Sequence, residues 1–358
     1  MTKARAAFLE GPGRIEVEEV PLPDISADDG LLRVEVNGLC GSDIEQITTG
    51  GRFGRLVPGH EPVGVIEQIG ADAARRWGVK AGDRVAVEVV VPCRRCRQCA
   101  AEVFSSCEDS VGAYGYRPIP GSDLTGGFAE YMYLHPHSVM HRIANDVPLV
   151  EAAMFNPLAA GLRWANHLGG VRKGDTVVVF GAGQRGIAAA IAALSAGAEH
   201  VVATGLTRDA HKLALARRFG VHTTLDVETD DVVERIREVT GGRGADVVVD
   251  LTPSAAQPVR DALEVARMGG TVVLAGLKHG RSIDLVTDRI IQKGLRVVGA
   301  RGVEGRSIRE AIALIESGQY PLAELNTHVF GLDDAAHAVA VLAGRVEGED
   351  SVHVAVAP

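Results

Sequence analysis

The chain has 358 residues, of which 46% are hydrophobic and 23% are charged, and its formal net charge is −9. This length exceeds one ordinary hydrophobic core and the composition is that of a globular protein, so two domains are expected. The acidic balance argues against nucleic-acid binding, which needs a basic face.

The sequence shows no signal for export or membrane insertion. The first residues lack the apolar core of a signal peptide, and no apolar run reaches the length of a membrane span. The sequence therefore predicts a cytoplasmic protein without a membrane partner.

The first ninety residues predict a small, mostly β barrel. Apolar and polar residues alternate over 15–18, 32–36 and 63–69, with glycine and proline turns between these runs. Residues 80–83 are typical of a turn that leads into a further strand.

A thiol, an imidazole and a carboxylate lie within residues 37–62, at Cys40, His60 and Glu61. Cysteine and histidine are ligands that zinc favours, and three protein ligands with one open position make a catalytic site. A buried thiol beside a turn is the alternative, because two ligands so far apart in sequence do not prove a metal.

Four of the five cysteines lie between residues 93 and 107, with the spacing C-x2-C-x2-C-x7-C. A C-x2-C step lets neighbouring thiolates point at one centre, so four of them can enclose an ion tetrahedrally. Free surface cysteines are the alternative, but a cytosolic protein has reason to avoid four clustered reactive thiols. The sequence therefore predicts a closed, structural zinc site made by Cys93, Cys96, Cys99 and Cys107.

The four-cysteine segment 93–107 is called the cysteine lobe below. The residues after it predict a strand within 126–133 and a helix over 150–168, where apolar residues recur at helical spacing. Three histidines lie between these two elements, but Pro136 interrupts them and a strand follows. We therefore predict that His135, His137 and His141 are loop and surface residues rather than ligands.

From residue 176 onward, short β-branched runs alternate with helical patterns. This alternation predicts a parallel sheet covered on both faces, which is a doubly wound α/β domain. Strands are expected at 176–180, 201–204, 222–225, 247–250, 271–275 and 295–298. Helices are expected at 186–196, 208–219, 230–240, 307–317 and 332–342, before a closing strand at 351–356.

A glycine motif, Gly181-Ala-Gly183-Gln184-Arg185-Gly186, follows the first strand of this domain and precedes a helix. The pattern G-x-G-x-x-G is weak alone, but between a strand and a helix it indicates a dinucleotide site. The glycines permit close approach, and the helix N-terminus faces the pyrophosphate. A glycine-rich turn without a ligand is the alternative.

The position at which NAD-binding proteins usually carry an acid for the ribose 2′-hydroxyl is Gly205. Without a carboxylate there, a 2′-phosphate is not repelled, and Thr207 and Arg208 are candidates to bind it. The sequence therefore favours NADP over NAD. The alternative is that Gly205 only opens a turn, Arg208 is a solvated helix-start residue, and NAD still binds.

These motifs, taken in order, resemble the zinc-dependent medium-chain dehydrogenase/reductase family of alcohol, sorbitol, threonine and glucose dehydrogenases. The matching runs are G-x-C-G-S-D at Cys40, P-G-H-E-x-x-G at His60, the four-cysteine lobe, G-G-F-A-E-Y at 126–131 and the glycine motif. The resemblance implies a GroES-like β-barrel catalytic domain at 1–154 and 298–358, with the zinc lobe at 93–107. It also implies a Rossmann domain at 155–297 and a homodimer or homotetramer.

The resemblance further implies a third protein ligand at the start of the interdomain helix, where this chain has Asn156. An amide oxygen is a weaker zinc ligand than a carboxylate or a thiolate. Three outcomes stay open: Asn156 ligates weakly, Glu61 becomes the third ligand, or the site holds little metal. We favour a retained zinc, which makes two zinc ions per chain.

In the same comparison, Ser42 resembles the hydroxyl that begins the family's proton relay, and Asp43 resembles a carboxylate that supports a ligand. A turn cap is the alternative for both. Glu45 stands where many members have a histidine. It is a candidate relay base or a partner for a substrate hydroxyl, which points to a polyol or sugar-like substrate.

The resulting expectation is a zinc-dependent oxidoreductase that transfers a hydride between an alcohol and NAD(P), forming a ketone or aldehyde. One alternative is a reductase of an activated C=C or C=N bond with a remodelled zinc site. The other is a dinucleotide-binding protein without catalytic turnover.

Overall fold

The computed structural model describes residues 2–358. The chain forms two compact units, one running up to Asn156 and including Glu304–Pro358, the other Pro157–Val303. The expected α/β class, with a β-barrel-like domain and a Rossmann domain, is confirmed. The predicted boundaries at 154/155 and 297/298 stay a prediction and lie within a few residues of these limits.

The elements are numbered in chain order. The strands are β1 Lys3–Gly11, β2 Arg14–Pro21, β3 Gly30–Gly38, β4 Glu61–Ile69, β5 Arg84–Val87, β6 Val90–Val91, β7 Gly112–Ala113, β8 Tyr131–Leu134, β9 Met140–Arg142, β10 Thr176–Phe180, β11 His200–Gly205, β12 Thr223–Asp226, β13 Ala245–Asp250, β14 Ala266–Leu274, β15 Arg296–Gly299, β16 Asn326–Phe330 and β17 His353–Val356. The helices are α1 Gly41–Thr49, α2 Ala71–Trp77, α3 Arg97–Ala100, α4 Leu149–Ala152, α5 Phe155–Gly161, α6 Gln184–Ser195, α7 Ala210–Arg218, α8 Val232–Val239, α9 Gln257–Val265, α10 Asp288–Lys293, α11 Gly305–Glu316 and α12 Ala335–Leu342.

The first unit is built on a seven-stranded sheet in the order β16-β17-β3-β4-β5-β9, with β8 also paired to β3. All pairs are antiparallel except β16 with β17. A separate hairpin, β1 with β2, covers a core that includes Phe8, Phe128 and Val354. Strands predicted at 15–18, 32–36 and 63–69 are confirmed within β2, β3 and β4.

The closing strand β17 returns the chain to the first unit. Ala355 and Val356 pair with Gly38 and Asn37 at the end of β3, which is two residues before Cys40. The C-terminal segment therefore supports the backbone that carries the candidate zinc thiolate.

The second unit is a six-stranded parallel sheet in the order β12-β11-β10-β13-β14-β15. This is the doubly wound order of dinucleotide-binding domains. All five residues of β10 are buried, as expected for a central strand covered by helices on both faces. Helix α8 buries Val232 and Ile236 one turn apart, and Asp231 caps it by accepting from Glu234 N–H at 3.0 Å.

Two sequence predictions need correction, and one helix was missed. The helix predicted over 150–168 is broken into α4, α5 and a π-helical segment, Leu162–Leu168. Helix α1 was not predicted, although Cys40 and Gly50 cap its two ends. His141 is 8% exposed in β9, where its Nε2 lies 2.8 Å from Glu88 Oε1, so the prediction of a surface histidine is wrong. A carboxylate 53 residues away makes that burial possible.

A further finding concerns membranes. Over residues 2–358, none of the described helices combines the length and apolar character needed to cross a bilayer.

Candidate functional site

Cys40 marks the point where β3 ends and α1 begins. It is the N-terminal cap of α1, and its side chain is 7% exposed. Leu39 N–H donates to the Val354 carbonyl at 2.9 Å, so β17 fixes the backbone beside it. The Asp43 carboxylate accepts from Cys40 N–H at 2.8 Å, which satisfies an amide at the helix start.

Glu61 is the first residue of β4 and His60 immediately precedes it, and a neighbouring loop sets their position. Phe128 N–H donates to the Pro58 carbonyl at 3.0 Å. Gly59 has a φ of +88°, and a Cβ there would lie 2.6 Å from the Phe128 ring. Only glycine allows this approach, and it leaves His60 and Glu61 3% and 0% exposed.

These three side chains converge. The candidate ligand atoms of Cys40, His60 and Glu61 all lie within 4.8 Å of one another. His60 Nδ1 lies 3.0 Å from Asp43 Oδ1, while His60 Nε2 lies 3.7 Å from Glu61 Oε1. Burial lowers the pKa of His60, but the charge and hydrogen bond of Asp43 together raise it well above its ordinary value.

This donor set fits a zinc ion. Thiolate, imidazole and carboxylate are zinc's usual ligands, and a three-donor set leaves one position open. A carboxylate that holds one nitrogen of a histidine and leaves the other for the metal is the usual outer support of such a site.

Ser42 joins this cluster, as does Tyr116, which the sequence analysis missed. Ser42 Oγ lies 3.2 Å from Cys40 Sγ. The Tyr116 hydroxyl donates to Ser42 Oγ and lies 3.3 Å from His60 Nε2. No local pattern distinguishes Tyr116, because its partners are 74 and 56 residues away in the chain.

The two remaining candidates have different environments. Asn156 is 3% exposed in the first turn of α5, whereas Glu45 lies on the exposed face of α1, one turn after Ser42. Burial of Asn156 and exposure of Glu45 are compatible with the expected ligand and relay positions, and both roles stay predictions.

The cysteine lobe brings its four thiols together. The Sγ–Sγ distances are 3.5 Å for Cys96–Cys99, 3.6 Å for Cys99–Cys107, 3.8 Å for Cys93–Cys99 and 3.9 Å for Cys96–Cys107. A tetrahedral site with Zn–S bonds of about 2.3 Å has sulfur atoms about 3.8 Å apart, whereas a disulfide is about 2.05 Å long. The lobe therefore has the dimensions of a tetrathiolate zinc site.

Backbone amides add to the suitability of the lobe for a cation. The amides of Glu108 and Cys99 lower the pKa of the Cys96 thiol to about 6, while burial raises that of Cys99. A metal ligand must be a thiolate, so the amides around Cys96 favour the form that binds.

The glycine motif forms a tight turn between β10 and α6. Gly181 has a φ of +104°, and a Cβ at Gly186 would lie 1.8 Å from the Gly181 carbonyl oxygen. Gly183 caps α6, and a Cβ there would meet nothing within 4 Å. The turn therefore needs Gly181 for its backbone conformation and Gly186 for packing, and it keeps open space above Gly183. Gln184 and Arg185 begin the helix.

Gly205 ends β11, and its lack of a side chain has a packing reason. A Cβ there would lie 3.3 Å from Ala182 Cβ and 3.2 Å from Asp209 Cβ. Beyond it, Thr207 is held by two carboxylates: its hydroxyl donates to Asp226 at 2.7 Å and its N–H to Glu228 at 2.9 Å.

Arg208, the next residue, is exposed. The region next to Gly205 therefore combines one exposed cation with several acids.

Two family descriptions match the chain. The description "Alcohol dehydrogenase GroES-like domain" covers residues 26–145, and "Zinc-binding dehydrogenase" covers residues 185–317.

Relatives of known name match nearly the whole chain. "Probable alcohol dehydrogenase adh" of Mycobacterium tuberculosis is 45% identical, covering 99% of this chain and 98% of the relative. The erythritol/L-threitol dehydrogenase of Mycolicibacterium smegmatis is 31% identical with the same coverage. The crystal structure of a zinc-binding dehydrogenase from Sinorhizobium meliloti 1021 bound to NADP has a TM-score of 0.88 at 29% identity, covering 100% of both chains.

Alanine substitutions at Gly186 and Gly183 of the glycine motif are expected to have different effects. We expect Gly186→Ala to lower the free energy of unfolding by about 2 kcal/mol or more, because its Cβ meets a backbone carbonyl. Gly183→Ala should fold as the wild type does but bind NAD(H) and NADP(H) weakly, because its methyl group fills the open space. Thermal unfolding and dinucleotide fluorescence titration measure the two effects, and wild-type affinity in Gly183→Ala would contradict a pyrophosphate site.

Proposed function

The chain belongs to the zinc-dependent medium-chain dehydrogenase/reductase family and is an NAD(P)-dependent alcohol dehydrogenase, and from that premise we propose which of its residues do the chemistry. We propose that Cys40, His60 and Glu61 hold a catalytic zinc. The observation that carries the proposal is the buried set of one thiol, one imidazole and one carboxylate within 4.8 Å.

Zinc bound there would polarise the substrate oxygen and lower the pKa of an alcohol. The side chains around these three donors orient His60 and carry the proton in this proposal. Asp43 fixes the His60 tautomer, because its carboxylate requires the proton on Nδ1. Ser42, which lies against Cys40 Sγ at 3.2 Å, would relay the alcohol proton, accepting it while passing its own hydroxyl proton on. Glu45, one turn later on the exposed face of α1, is the candidate terminal base of this relay. A nicotinamide cofactor, when bound, would supply the hydride acceptor.

We propose Glu61, rather than Asn156, as the third donor. Glu61 is completely buried in the cluster, and with the Cys40 thiolate it balances both charges of the ion. Asn156 would leave one positive charge uncompensated. Its place in the buried first turn of α5 makes it a neutral neighbour of the site in this proposal.

We propose two zinc ions per chain, one held by Cys40, His60 and Glu61 (the Cys40 set) and one held by the four thiols of the cysteine lobe. Protein purified without added metal is expected to contain about two zinc ions, and both Cys40→Ser and Cys96→Ser are expected to contain about one. Elemental analysis measures the content. About one zinc in the wild type, unchanged in Cys40→Ser, would show that the Cys40 set binds no zinc and that only the cysteine lobe is filled.

The same preparation separates the two candidate third donors. Glu61→Gln should weaken retention of the zinc that is lost in Cys40→Ser by at least about tenfold, because a neutral amide replaces a carboxylate. Asn156→Ala should leave retention unchanged. Chelator competition measures both, and the reverse result would assign the role to Asn156.

For the substrate we propose a secondary alcohol, polyol or sugar-like alcohol. The relative from Mycolicibacterium smegmatis is named for two polyols, erythritol and threitol. Glu45 adds a carboxylate one turn after Ser42, on the exposed face of α1. A carboxylate accepts hydrogen bonds from additional hydroxyls, which a simple alcohol lacks.

For the cofactor we propose NADP over NAD, with a modest preference. Gly205 supplies no carboxylate to the ribose, and Arg208 offers an exposed guanidinium. Asp226 and Glu228 act in the opposite direction, because both bind Thr207 and would repel a 2′-phosphate.

This balance of charges can be measured. Arg208→Ala should lower kcat/KM for NADP about tenfold and change that for NAD little, since only NADP has the phosphate. Glu228→Gln should act in the opposite sense and raise the NADP-to-NAD ratio. Steady-state kinetics with both cofactors provides the ratio, and a clear NAD preference in the wild type would end the proposal.

We also propose that the protein assembles as a homodimer or homotetramer through the edge of its Rossmann sheet. Strand β15 is one of the two edge strands of this sheet and carries Val297, which is exposed. Four further apolar side chains are exposed in the segment between β14 and β15: Leu277, Leu285, Val286 and Ile291. An exposed edge with apolar neighbours is a template for pairing with a second chain. A cytoplasmic location stays a prediction.

The proposed assembly is tested by two glutamate substitutions of exposed apolar residues, one in each unit. Ile291 is 77% exposed on α10, so Ile291→Glu should leave the fold intact but halve the particle mass, because it places a charge in the apolar surface. Val329→Glu, on β16 of the other unit, is the control and should not change the mass. Light scattering after gel filtration measures it, and a wild-type mass of about 37.6 kDa would exclude the oligomer.

A further inference from the structure

The loop that carries Tyr116 is fixed at three points. Gln46 Nε2 of α1 donates to the Gly115 carbonyl at 2.7 Å, and Gly115 N–H donates to the Thr125 carbonyl at 2.8 Å. Tyr114, completely buried, bonds through its hydroxyl to Ser138 Oγ at 2.6 Å. These contacts hold the loop before any ligand arrives.

A close backbone approach completes the arrangement. Gly115 has a φ of +70°, and a Cβ there would lie 2.4 Å from the Gly59 carbonyl oxygen. Because Gly59 precedes His60, this approach places the next residue, Tyr116, against the imidazole. The two ring centroids are 4.5 Å apart.

The Ser42 and Tyr116 hydroxyls form a pair beside the candidate metal donors. They are hydrogen-bonded to each other. Ser42 Oγ lies against Cys40 Sγ at 3.2 Å, and the Tyr116 hydroxyl lies against His60 Nε2 at 3.3 Å. Two hydroxyl groups, joined by one hydrogen bond, therefore border the candidate metal donors. Ser42 is the one proposed to take the proton of the substrate alcohol.

We propose that Tyr116 is a specificity-determining residue that binds a second hydroxyl, on the carbon next to the reacting one, and so selects vicinal diols. This inference rests on the proposed zinc-dependent alcohol oxidation. Ser42 binds the reacting oxygen, and Tyr116 binds its neighbour. The two oxygens of a gauche vicinal diol are about one hydrogen-bond length apart, which matches the separation of the paired hydroxyls.

A simple alcohol makes fewer hydrogen bonds to the Ser42 and Tyr116 hydroxyls than a vicinal diol does. It engages Ser42 but leaves the Tyr116 hydroxyl with no substrate partner, whereas a diol replaces the bond between the two side chains with two bonds to itself. Discrimination follows from the hydrogen bond that one substrate makes and the other lacks. Because the Tyr116 loop is already fixed by Gln46 and Tyr114, little ordering cost reduces this gain.

The test compares butane-2,3-diol with butan-2-ol, which share a carbon skeleton and differ by the second hydroxyl. In Tyr116→Phe, which keeps the ring against His60, the ratio of kcat/KM for the diol to that for the simple alcohol should fall about tenfold, mainly through the KM of the diol. Any loss that arises from the contact with Ser42 is common to both substrates and cancels in this ratio. Dissociation constants of both alcohols, measured by ligand-observed NMR on zinc-loaded protein, should show the same split without turnover. Zinc content should equal that of the wild type.

Tyr133→Phe is the control, because it removes a tyrosine hydroxyl that bonds to Asp29 at 3.1 Å instead. It should leave the diol-to-alcohol ratio unchanged. Equal losses for both substrates in Tyr116→Phe, or an unchanged ratio in kinetics and NMR, would overturn the proposal. A zinc-loaded wild type that oxidises neither alcohol would refute the proposed function, and the NMR ratio would still decide the role of Tyr116.

Discussion

The Asp43 carboxylate is the contact on which the candidate active site depends. One oxygen accepts from Cys40 N–H at 2.8 Å and the other lies 3.0 Å from His60 Nδ1. It therefore ties the start of α1 to the start of β4, and with them two zinc donors that are distant in sequence. Asp43 is completely buried, so its charge is tolerated only because both oxygens have partners. The same contact orients the imidazole.

Close backbone approaches make this contact possible. Gly59 and Gly115 lie against each other, and both have positive φ. A Cβ at Gly38, at the end of β3, would come within 2.9 Å of Glu61 Oε2 and of His353 Nε2. Side chains at these positions would push apart the segments that carry the thiol, the imidazole and the carboxylate. Glycine supplies the space, and the antiparallel pairing of β3 with β4 and β17 supplies the alignment.

The two proposed zinc sites are assembled in different ways. The four lobe thiols come from one segment of fifteen residues, 93–107, whose short steps already bring them together. The Cys40 set combines the ends of two strands and receives its tyrosine from a third segment. A local site tolerates change elsewhere in the fold, whereas a site built from distant segments reports on the packing of the whole unit. This difference matches a closed structural role for the first and a chemical role for the second.

The sequence by itself determined the alternation of strands and helices in the second unit, the four-cysteine lobe, the glycine turn and the family. Each depends on residues close together in the chain, where periodicity and spacing are visible. Cys40, His60 and Glu61 were already candidates for one site from the sequence, and the tertiary structure added the distances between their donor atoms. Only the tertiary structure buried His141 against Glu88 and brought Tyr116 to Ser42 and His60. Those contacts join segments dozens of residues apart. Their geometry follows from sheet register and glycine packing, which a linear pattern does not encode.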